Sequence, residues 1–374
     1  MLRYESMSTD AIVVGGGVIG CTIAWRLAQQ GLKVRLFERG KVGGEASRAA
    51  AGMLSPQAES QSKGPFFDLC LKSRLMYREF ADELSDVSGI DVEYNDSGTL
   101  FVVLSGEDDE ETTRWAAWQT EAGLPLQPFS EDDLRRIEPA VTESAIRAIF
   151  LPEEHQVENR RLMDSLKIAI KLAGVDLIED AEVTSLATAQ DRVTGVVSAG
   201  KRFDAGSVIV AAGTWSSRLL EPLGLNVKVI PARGQMIAVK GDGCPITRVV
   251  HSSSVYVVPR RDGRILIGAT VEYTGFKKEV TVSAINHLLK AGLELVPSLG
   301  QFAVVETWSG LRPDTIDHLP IIGPSGIDNL ILATGHFRNG ILLAPVTAEL
   351  VADTVVQGRV SDDLKPFGIS RFDA

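Results

Sequence analysis

Three glycines close to the N-terminus constrain the fold of this chain more than any other feature. Gly15, Gly17 and Gly20 follow the short apolar run 11–14 and precede an apolar-periodic stretch that extends to residue 30. A second apolar run then ends at Glu38, and 38 − 20 = 18 residues separate this acid from the last glycine. Strand, glycine turn, helix and strand in this order predict a βαβ unit with a dinucleotide-binding fingerprint.

Each residue of the fingerprint has its own physical role. Gly15 permits the tight turn, Gly17 lets the backbone approach a pyrophosphate at the helix N-terminus, and Gly20 lets the helix pack closely on the strand. Glu38 can accept hydrogen bonds from ribose hydroxyls. The motif predicts an adenine dinucleotide but does not distinguish NAD from FAD, and a glycine turn without a ligand is the alternative.

The charge balance limits the classes of partner. Lys and Arg number 38 and Asp and Glu number 49 in 374 residues, which gives a net charge of −11. A chain this acidic is a poor ligand for nucleic acid or for an anionic membrane, and neither is expected as a partner. The apolar fraction of 44% is typical of an ordinary globular protein, and the length suggests two domains.

Cysteine and histidine usage argues against disulfides and metal sites. Three cysteines lie far apart without a CxxC pair, and the five histidines form no HxH or HExxH spacing. We therefore expect no metal, a reducing cytoplasmic location, and histidines that lie in loops or on the surface. The leader at residues 1–10 is short and polar, and no stretch approaches the roughly 18 apolar residues that span a membrane.

The pattern along the chain alternates between α/β segments and runs of alternating strands. A helix is predicted at Phe66–Ser85, strands at Asp91–Tyr94 and Thr99–Leu104, a hairpin turn at Asp262-Gly263, and a last helix at Gly340–Gln357. After Glu38 the next regular βα unit of a nicotinamide enzyme is replaced by small residues and long insertions, so FAD is favoured over NAD.

These segments predict an α/β fold with an α+β second domain. A discontinuous Rossmann-like FAD-binding domain is interleaved with an antiparallel-sheet substrate domain. We assign residues 1–60, 150–225 and 316–374 to the FAD-binding domain, and residues 61–149 and 226–315 to the substrate-binding domain.

Five segments carry a resemblance to a known family. They are Gly44–Met53, Val255–Pro259, Gly268–Thr270, Gly310–Pro313 and, most specifically, Gly335–Pro345. The chain resembles the glycine oxidase branch of the D-amino-acid oxidase family from about Asp10 to Gln357. The resemblance implies a non-covalent FAD oxidase that converts glycine, water and O2 to glyoxylate, ammonia and H2O2, serves thiazole synthesis for thiamine, and forms a homo-oligomer, by resemblance a tetramer.

The resemblance also gives roles to four site residues. Arg312 would hold the substrate carboxylate with its two-pronged guanidinium, and Tyr256 would donate its hydroxyl to the same carboxylate. Arg338 would support the flavin or line the pocket, and Met53 would narrow it. The alternatives are an ion pair for Arg312, a core aromatic for Tyr256, a solvated loop arginine for Arg338 and a core side chain for Met53.

A larger set of residues is predicted to bind the cofactor, partly at the glycine turn and partly where the last helix begins. Backbone N–H groups near Asn339 are expected to face the pyrimidine edge of the flavin, where a helix N-terminus favours negative charge. The set comprises Gly15, Gly17, Val18, Ile19, Gly20, Glu38, Arg39, Ser47, Arg48, Ala50, Ala51, Gly52, Met53, Val183, Ala212, Gly213, Trp215, His336, Phe337, Arg338, Asn339, Gly340, Ile341 and Leu342.

The expected chemistry is hydride transfer from the substrate carbon to flavin N5, because the α-hydrogen of an amino acid is too weak an acid for a side-chain base. Two positions leave the pocket size open. Val271 stands where related enzymes often have methionine, and Ser254 where some have histidine. Sarcosine and small D-amino acids such as D-alanine are therefore further candidate substrates.

Three other functions remain as alternatives. An FAD-dependent D-amino-acid dehydrogenase would pass electrons to a quinone, but would lack the Phe-Arg-Asn that follows Gly335-His336. A tRNA-modifying FAD oxidoreductase would need basic surface, which the charge of −11 opposes. A nicotinamide dehydrogenase is the third.

Overall fold

The computed structural model describes residues 9–372, without the side chains of residues 106–108. Most of the predicted leader, residues 1–8, lies outside the described residues. The strands are β1 (Thr9–Val14), β2 (Val34–Phe37), β3 (Met53–Leu54), β4 (Thr99–Val103), β5 (Gln127–Phe129), β6 (Arg147–Leu151), β7 (His155–Gln156), β8 (Asp176–Ile178), β9 (Val183–Ala189), β10 (Arg192–Ser198), β11 (Lys201–Val210), β12 (Ile230–Lys240), β13 (Val249–His251), β14 (Tyr256–Pro259), β15 (Arg264–Gly268), β16 (Ala303–Asp314), β17 (Ile321–Pro324) and β18 (Leu330–Thr334). The α-helices are α1 (Val18–Gln29), α2 (Ala46–Ala49), α3 (Pro56–Glu59), α4 (Pro65–Ser88), α5 (Gly106–Glu121), α6 (Glu131–Ile137), α7 (Asn159–Leu172), α8 (Ser216–Leu220), α9 (Val282–Leu295) and α10 (Gly340–Gln357).

The first sheet contains the glycine fingerprint. Its strand order is β17-β18-β11-β1-β2-β8, with β9 and β10 attached through β11. Strand β1 is parallel to both β2 and β11, and β18 is parallel to β11. Three separate stretches of the chain build this layer, so the predicted parallel α/β sheet is confirmed, with the βαβ unit at its centre.

The second sheet is built from the two stretches of chain that lie between the three stretches of the first sheet. Its order is β16-β12-β15-β14-β13-β4-β6-β5, and its pairs are antiparallel except for β13 with β4. The predicted fold class is thereby confirmed. The exact domain limits remain a prediction, and β6 runs across the limit that we placed at residue 150.

Most local predictions agree with the structure, and one is wrong. The helix predicted at residues 66–85 is α4, the Asp262-Gly263 turn joins the antiparallel strands β14 and β15, and α10 has the predicted limits. Residues 91–94 form no strand. Asp91 Oδ1 instead accepts a hydrogen bond of 2.7 Å from the Glu93 N–H, and Glu93 takes a φ of 55°, so the chain turns here.

Helices α1, α7 and α10 pack against the first sheet, α4 packs on α7 and α10, and the four helices form one hydrophobic core with the sheet. Helix α10 is mostly apolar, with a mean hydropathy of 1.3, and 67% of it is buried inside the fold. By length and composition this helix alone among the described residues could cross a membrane, which the sequence analysis did not foresee. A core helix passes the same test, and its burial here explains its composition.

Candidate active site

One long cavity runs from the glycine turn of the first sheet to the inner face of the second sheet. Its walls come from the turn after β1, the small-residue segment before β3, the ends of β11 and β18, and strands β12, β14 and β16. The cavity thus lies between the two sheets, at the carboxyl ends of the parallel strands, which is where ligands bind in open α/β sheets.

The three fingerprint glycines have different surroundings. Gly15 has a φ of +111°, and a Cβ there would overlap the Ala211 carbonyl oxygen. A Cβ on Gly20 would overlap the Gly15 carbonyl oxygen, so these two glycines serve the turn itself. At Gly17 the nearest atom to an added Cβ is Ser47 Oγ at 3.3 Å. A side chain on Gly17 would therefore enter the cavity, where backbone must approach a ligand closely.

The acid and the helix end beside this turn fit the phosphate and ribose of a dinucleotide. Glu38 Oε2 accepts a hydrogen bond of 2.7 Å from the Gly16 N–H, and its Oε1 accepts one of 2.8 Å from Gly40. Carboxylate oxygens keep further acceptor capacity for ribose hydroxyls. The side-chain-free backbone at Gly17, on the cavity wall, and the N-terminus of α1 offer the cradle that a pyrophosphate requires.

A guanidinium packed on an indole ring forms part of the cavity wall near Glu38. The Arg39 guanidinium lies 3.5 Å from the Trp215 ring centroid, and Arg39 Nη2 donates to Glu45 at 2.6 Å. The Phe276 ring lies next to Trp215 in a tilted arrangement, with ring centroids 5.6 Å apart. Arg39 and Trp215 were predicted to bind the cofactor, whereas sequence analysis missed Glu45 and Phe276.

Arg312 lies on β16 opposite Ala232 of β12 and projects into the cavity. Its Nη1 donates a hydrogen bond of 3.0 Å to the Thr270 carbonyl, which leaves most of the five guanidinium donors for a ligand. The guanidinium crosses Gly234, where any Cβ would overlap it. Gly234 was not predicted as a site residue. Its neighbours in the sequence give no sign that the Arg312 side chain, from another strand, occupies the space beside it.

Tyr256 faces the same guanidinium from β14. Only 8% of its surface is exposed, and its hydroxyl lies 3.4 Å from Met236 Sδ. Burial raises the pKa of the Tyr256 hydroxyl, although the charges of Arg312 and Arg338 oppose the shift. The hydroxyl is therefore neutral and able to donate a hydrogen bond to an anion held by Arg312.

Arg338 lines the cavity, as predicted, but its guanidinium has a partner that sequence analysis missed. Its Nε and Nη2 lie 2.9 and 3.0 Å from the two carboxylate oxygens of Glu59, in a two-pronged ion pair. The side chain of Glu59 is 11% exposed and that of Arg338 39% exposed. Arg338 is thus a partly exposed arginine in the turn before α10 that is paired with a carboxylate rather than free.

His155 on β7 and His251 on β13 contradict the expectation of loop or surface positions, whereas His336 lies in the loop before α10 but is buried. His336 is 3% exposed, its Nε2 lies 3.1 Å from Thr347 Oγ1, and burial lowers its pKa to about 3. His251 lies on β13, where it stacks on Tyr256, and burial lowers its pKa to about 4. Both rings are neutral near pH 7, so neither supplies a cation to the site.

Most of the residues predicted for the site line this cavity, including Met53, Val271 and His336. Three predicted cofactor residues do not. Gly20 packs against the turn, Arg48 turns away to pair with Asp164 at 2.6 Å, and Leu342 is 1% exposed in the core. Ser254 lies in an exposed turn outside the cavity lining.

No group of three or more His, Cys, Asp or Glu side chains that could hold a metal ion occurs in the part of the chain that the structure describes. The cysteines there are free, with Cys21 and Cys70 buried and Cys244 exposed. The charged side chains that line the cavity are arginines and glutamates, and its other polar groups include Tyr256, His336, hydroxyl side chains and Asn339.

Comparison with known proteins supports the interpretation of the cavity. The family model for FAD dependent oxidoreductases matches residues 10–354. Glycine oxidase of Pseudomonas aeruginosa is 38% identical, with 94% of this chain and 96% of that protein aligned. The crystal structure of glycine oxidase from Geobacillus kaustophilus superposes with a TM-score of 0.93 at 34% identity, covering 97% of this chain and 98% of the other.

A second kind of relative is longer. The bifunctional protein ThiO/ThiG of Synechocystis is 37% identical over 98% of this chain, and the chain spans 54% of its length. The family match covers nearly all the described residues, including both sheets and the cavity between them. Since the Gly17 cradle and Glu38 also fit a dinucleotide, FAD is the cofactor, and the chain belongs to the family of FAD-dependent oxidoreductases.

Proposed function

We propose that the protein is a glycine oxidase, which converts glycine, water and O2 to glyoxylate, ammonia and H2O2. The observation that carries the proposal is the position of Arg312 and Tyr256 in one cavity with the Gly17 cradle. A cation and a neutral donor next to a flavin site are the groups that a small amino acid carboxylate requires. The named relatives are glycine oxidases, which supports the same substrate class.

The two groups would fix the orientation of the substrate. Arg312 would bind both carboxylate oxygens with the guanidinium donors not used by Thr270, and Tyr256 would donate its hydroxyl to one of them. Met53 and Val271 lie in the wall of the same cavity and would limit the size of the group on the α-carbon. Such positioning brings the substrate carbon to the flavin ring and supplies a large part of the rate.

The Gly17 cradle and Glu38 would hold FAD, which would supply the redox chemistry as acceptor of the substrate's hydride and as electron donor to O2. The protein would contribute orientation and water exclusion rather than a basic side chain. Glu59, the carboxylate beside Arg338, is held in an ion pair. The amine must be neutral when the hydride leaves, and the imine product is hydrolysed by water to glyoxylate and ammonia.

The substrate range and biological role extend this proposal. Val271 is 44% exposed and smaller than methionine, so sarcosine and D-alanine are proposed as further substrates. Fusion of a related sequence in a protein named ThiO/ThiG supports a role in thiazole synthesis for thiamine. An FAD-dependent dehydrogenase that uses a quinone is the second candidate, since the cavity geometry serves either electron acceptor.

A peroxide assay tests the proposal. The purified holoenzyme is supplied under air with glycine, sarcosine, D-alanine and D-proline, and glyoxylate is identified among the products of glycine. H2O2 and glyoxylate in equal amounts are expected. Flavin reduction by glycine under anaerobic conditions without H2O2 release under air would favour the dehydrogenase, and no flavin reduction would refute the substrate assignment.

The Arg312→Ala variant tests the carboxylate clamp separately. It is expected to retain FAD but to lose much more than tenfold in kcat/KM for glycine. A tenfold loss corresponds to about 1.4 kcal/mol of transition-state stabilisation. Arg202→Ala is the matched control, because Arg202 is an exposed arginine that pairs with Asp204 outside the cavity. A loss within tenfold for Arg312→Ala would show that another group holds the carboxylate.

A further inference from the structure

Close to Arg312, the cavity contains a further guanidinium, that of Arg338, for which the proposed reaction has no use. Glycine and sarcosine carry one carboxylate, and Arg312 with Tyr256 accounts for it. Arg338 reaches the same cavity, and its charge acts on both of these groups. A second arginine this close to Arg312 would attract a second anionic group, unless another charge cancels it.

Glu59 provides that charge. The ion pair is two-pronged, at 2.9 and 3.0 Å, and the carboxylate is the more buried partner, at 11% exposure. Glu59 lies at the end of α3, whereas Arg338 lies just before α10, so the fold brings the pair together at the cavity wall. The carboxylate acts on Tyr256 and Arg312 with a sign opposite to that of Arg338.

We propose that Glu59 is a specificity-determining residue, which neutralises Arg338 and thereby restricts the cavity to amino acids with a single carboxylate. This inference rests on the proposed function. A substrate with a second carboxylate must displace Glu59 from Arg338 or lie beside a fixed negative charge, and both cost free energy in a partly desolvated site. A substrate with one carboxylate meets a neutral pair and only the charge of Arg312.

Sarcosine and iminodiacetate form a matched pair of substrates for the test. They differ because a carboxylate replaces one hydrogen of the N-methyl group. In Glu59→Gln the side chain keeps its size and one oxygen that can accept from Arg338, but the negative charge is gone. The ratio of kcat/KM for iminodiacetate to that for sarcosine is expected to rise about tenfold or more over the wild-type ratio.

Glu306→Gln is the control for the loss of one negative charge. Glu306 forms a similar two-pronged pair with Arg160, at 2.9 Å for both contacts, but lies outside the cavity lining. This variant is expected to keep the wild-type ratio. An unchanged ratio in Glu59→Gln, or an equal rise in Glu306→Gln, would overturn the inference.

A binding measurement keeps the inference testable if turnover is lost. Malonate and acetate, a diacid and a monoacid, are titrated into the holoenzyme while the flavin absorbance is recorded. Glu59→Gln, or Glu59→Ala if the first variant does not fold, is expected to gain about tenfold in affinity for malonate relative to acetate. No relative gain would refute the role of Glu59. Failure of the wild type to oxidise glycine and sarcosine would instead refute the proposed function.

Discussion

The buried carboxyl of Glu154 is expected to make this protein less stable as the pH rises. Glu154 has no exposed surface, and its Oε1 accepts a hydrogen bond of 2.6 Å from the Gln57 N–H. Burial raises its pKa from 4.5 to about 8, although Ser55, the Gln57 N–H and Arg74 act in the opposite direction. Above pH 4.5 the unfolded chain releases this proton, whereas the folded protein holds it up to about pH 8. The stabilisation present below pH 4.5 is therefore lost progressively as the pH rises to 8.

The effect is large enough to measure. With these two pKa values, the contribution of Glu154 to the free energy of unfolding falls by about 2 kcal/mol between pH 6 and pH 8. In Glu154→Gln the amide oxygen still accepts from the Gln57 N–H, but nothing titrates. Urea unfolding of the two holoproteins, followed by tryptophan fluorescence at both pH values, isolates the effect, because the other groups titrate equally in both. The variant should lose about 2 kcal/mol less than the wild type from pH 6 to pH 8. Equal losses would refute the burial argument.

Four further substitutions test the site. Gly17→Ala should leave urea stability of the apoprotein nearly unchanged but weaken FAD binding about tenfold or more, whereas Gly20→Ala should cost roughly 2–4 kcal/mol in stability, because its Cβ would overlap the Gly15 carbonyl. If purified Gly17→Ala contained one flavin per chain, the backbone at Gly17 would not be the close contact with the pyrophosphate that we infer. Tyr256→Phe should raise the KM for glycine about tenfold without loss of flavin, since one hydrogen bond to the carboxylate is removed; an unchanged KM would exclude that bond. Arg39→Ala should weaken FAD binding about threefold, because the contact of the guanidinium with the Trp215 ring is lost. Flavin fluorescence measures the binding, and an unchanged affinity would show that this contact plays no part in it.

The sequence predicts well the features that depend on local chemistry. The positive φ of Gly15 and the close contact at Gly20 follow from the strand-turn-helix context alone, and α10 has the limits predicted from its apolar run. Alternation also predicts the antiparallel pair on either side of Asp262-Gly263. It fails at residues 91–94, where a local hydrogen bond from Glu93 to Asp91 turns the chain. An apolar-polar alternation of four residues is too short to exclude such a turn.

The features that sequence analysis missed are contacts between residues far apart in the chain. Glu59 and Arg338 are 279 positions apart, and Gly234 is needed only because the Arg312 side chain from the neighbouring strand crosses it. No periodicity or motif records such a pair, since each residue is unremarkable among its own neighbours.

Contacts between distant residues matter most for the charge of the site, which the sequence alone does not predict. Judged from the sequence alone, the part of the cavity around Tyr256 has two cations, Arg312 and Arg338, which would favour a substrate with two anionic groups. In the fold, Glu59 pairs with Arg338, and Arg312 is left beside Tyr256 as the cation whose printed partner is a carbonyl rather than a carboxylate. A family motif that contains only the arginines would therefore predict the reaction but not the number of carboxylates in the substrate. Discrimination between substrates with one and with two carboxylates depends on the residue that pairs with Arg338. Relatives with a neutral residue at the position of Glu59 should therefore accept diacids more readily.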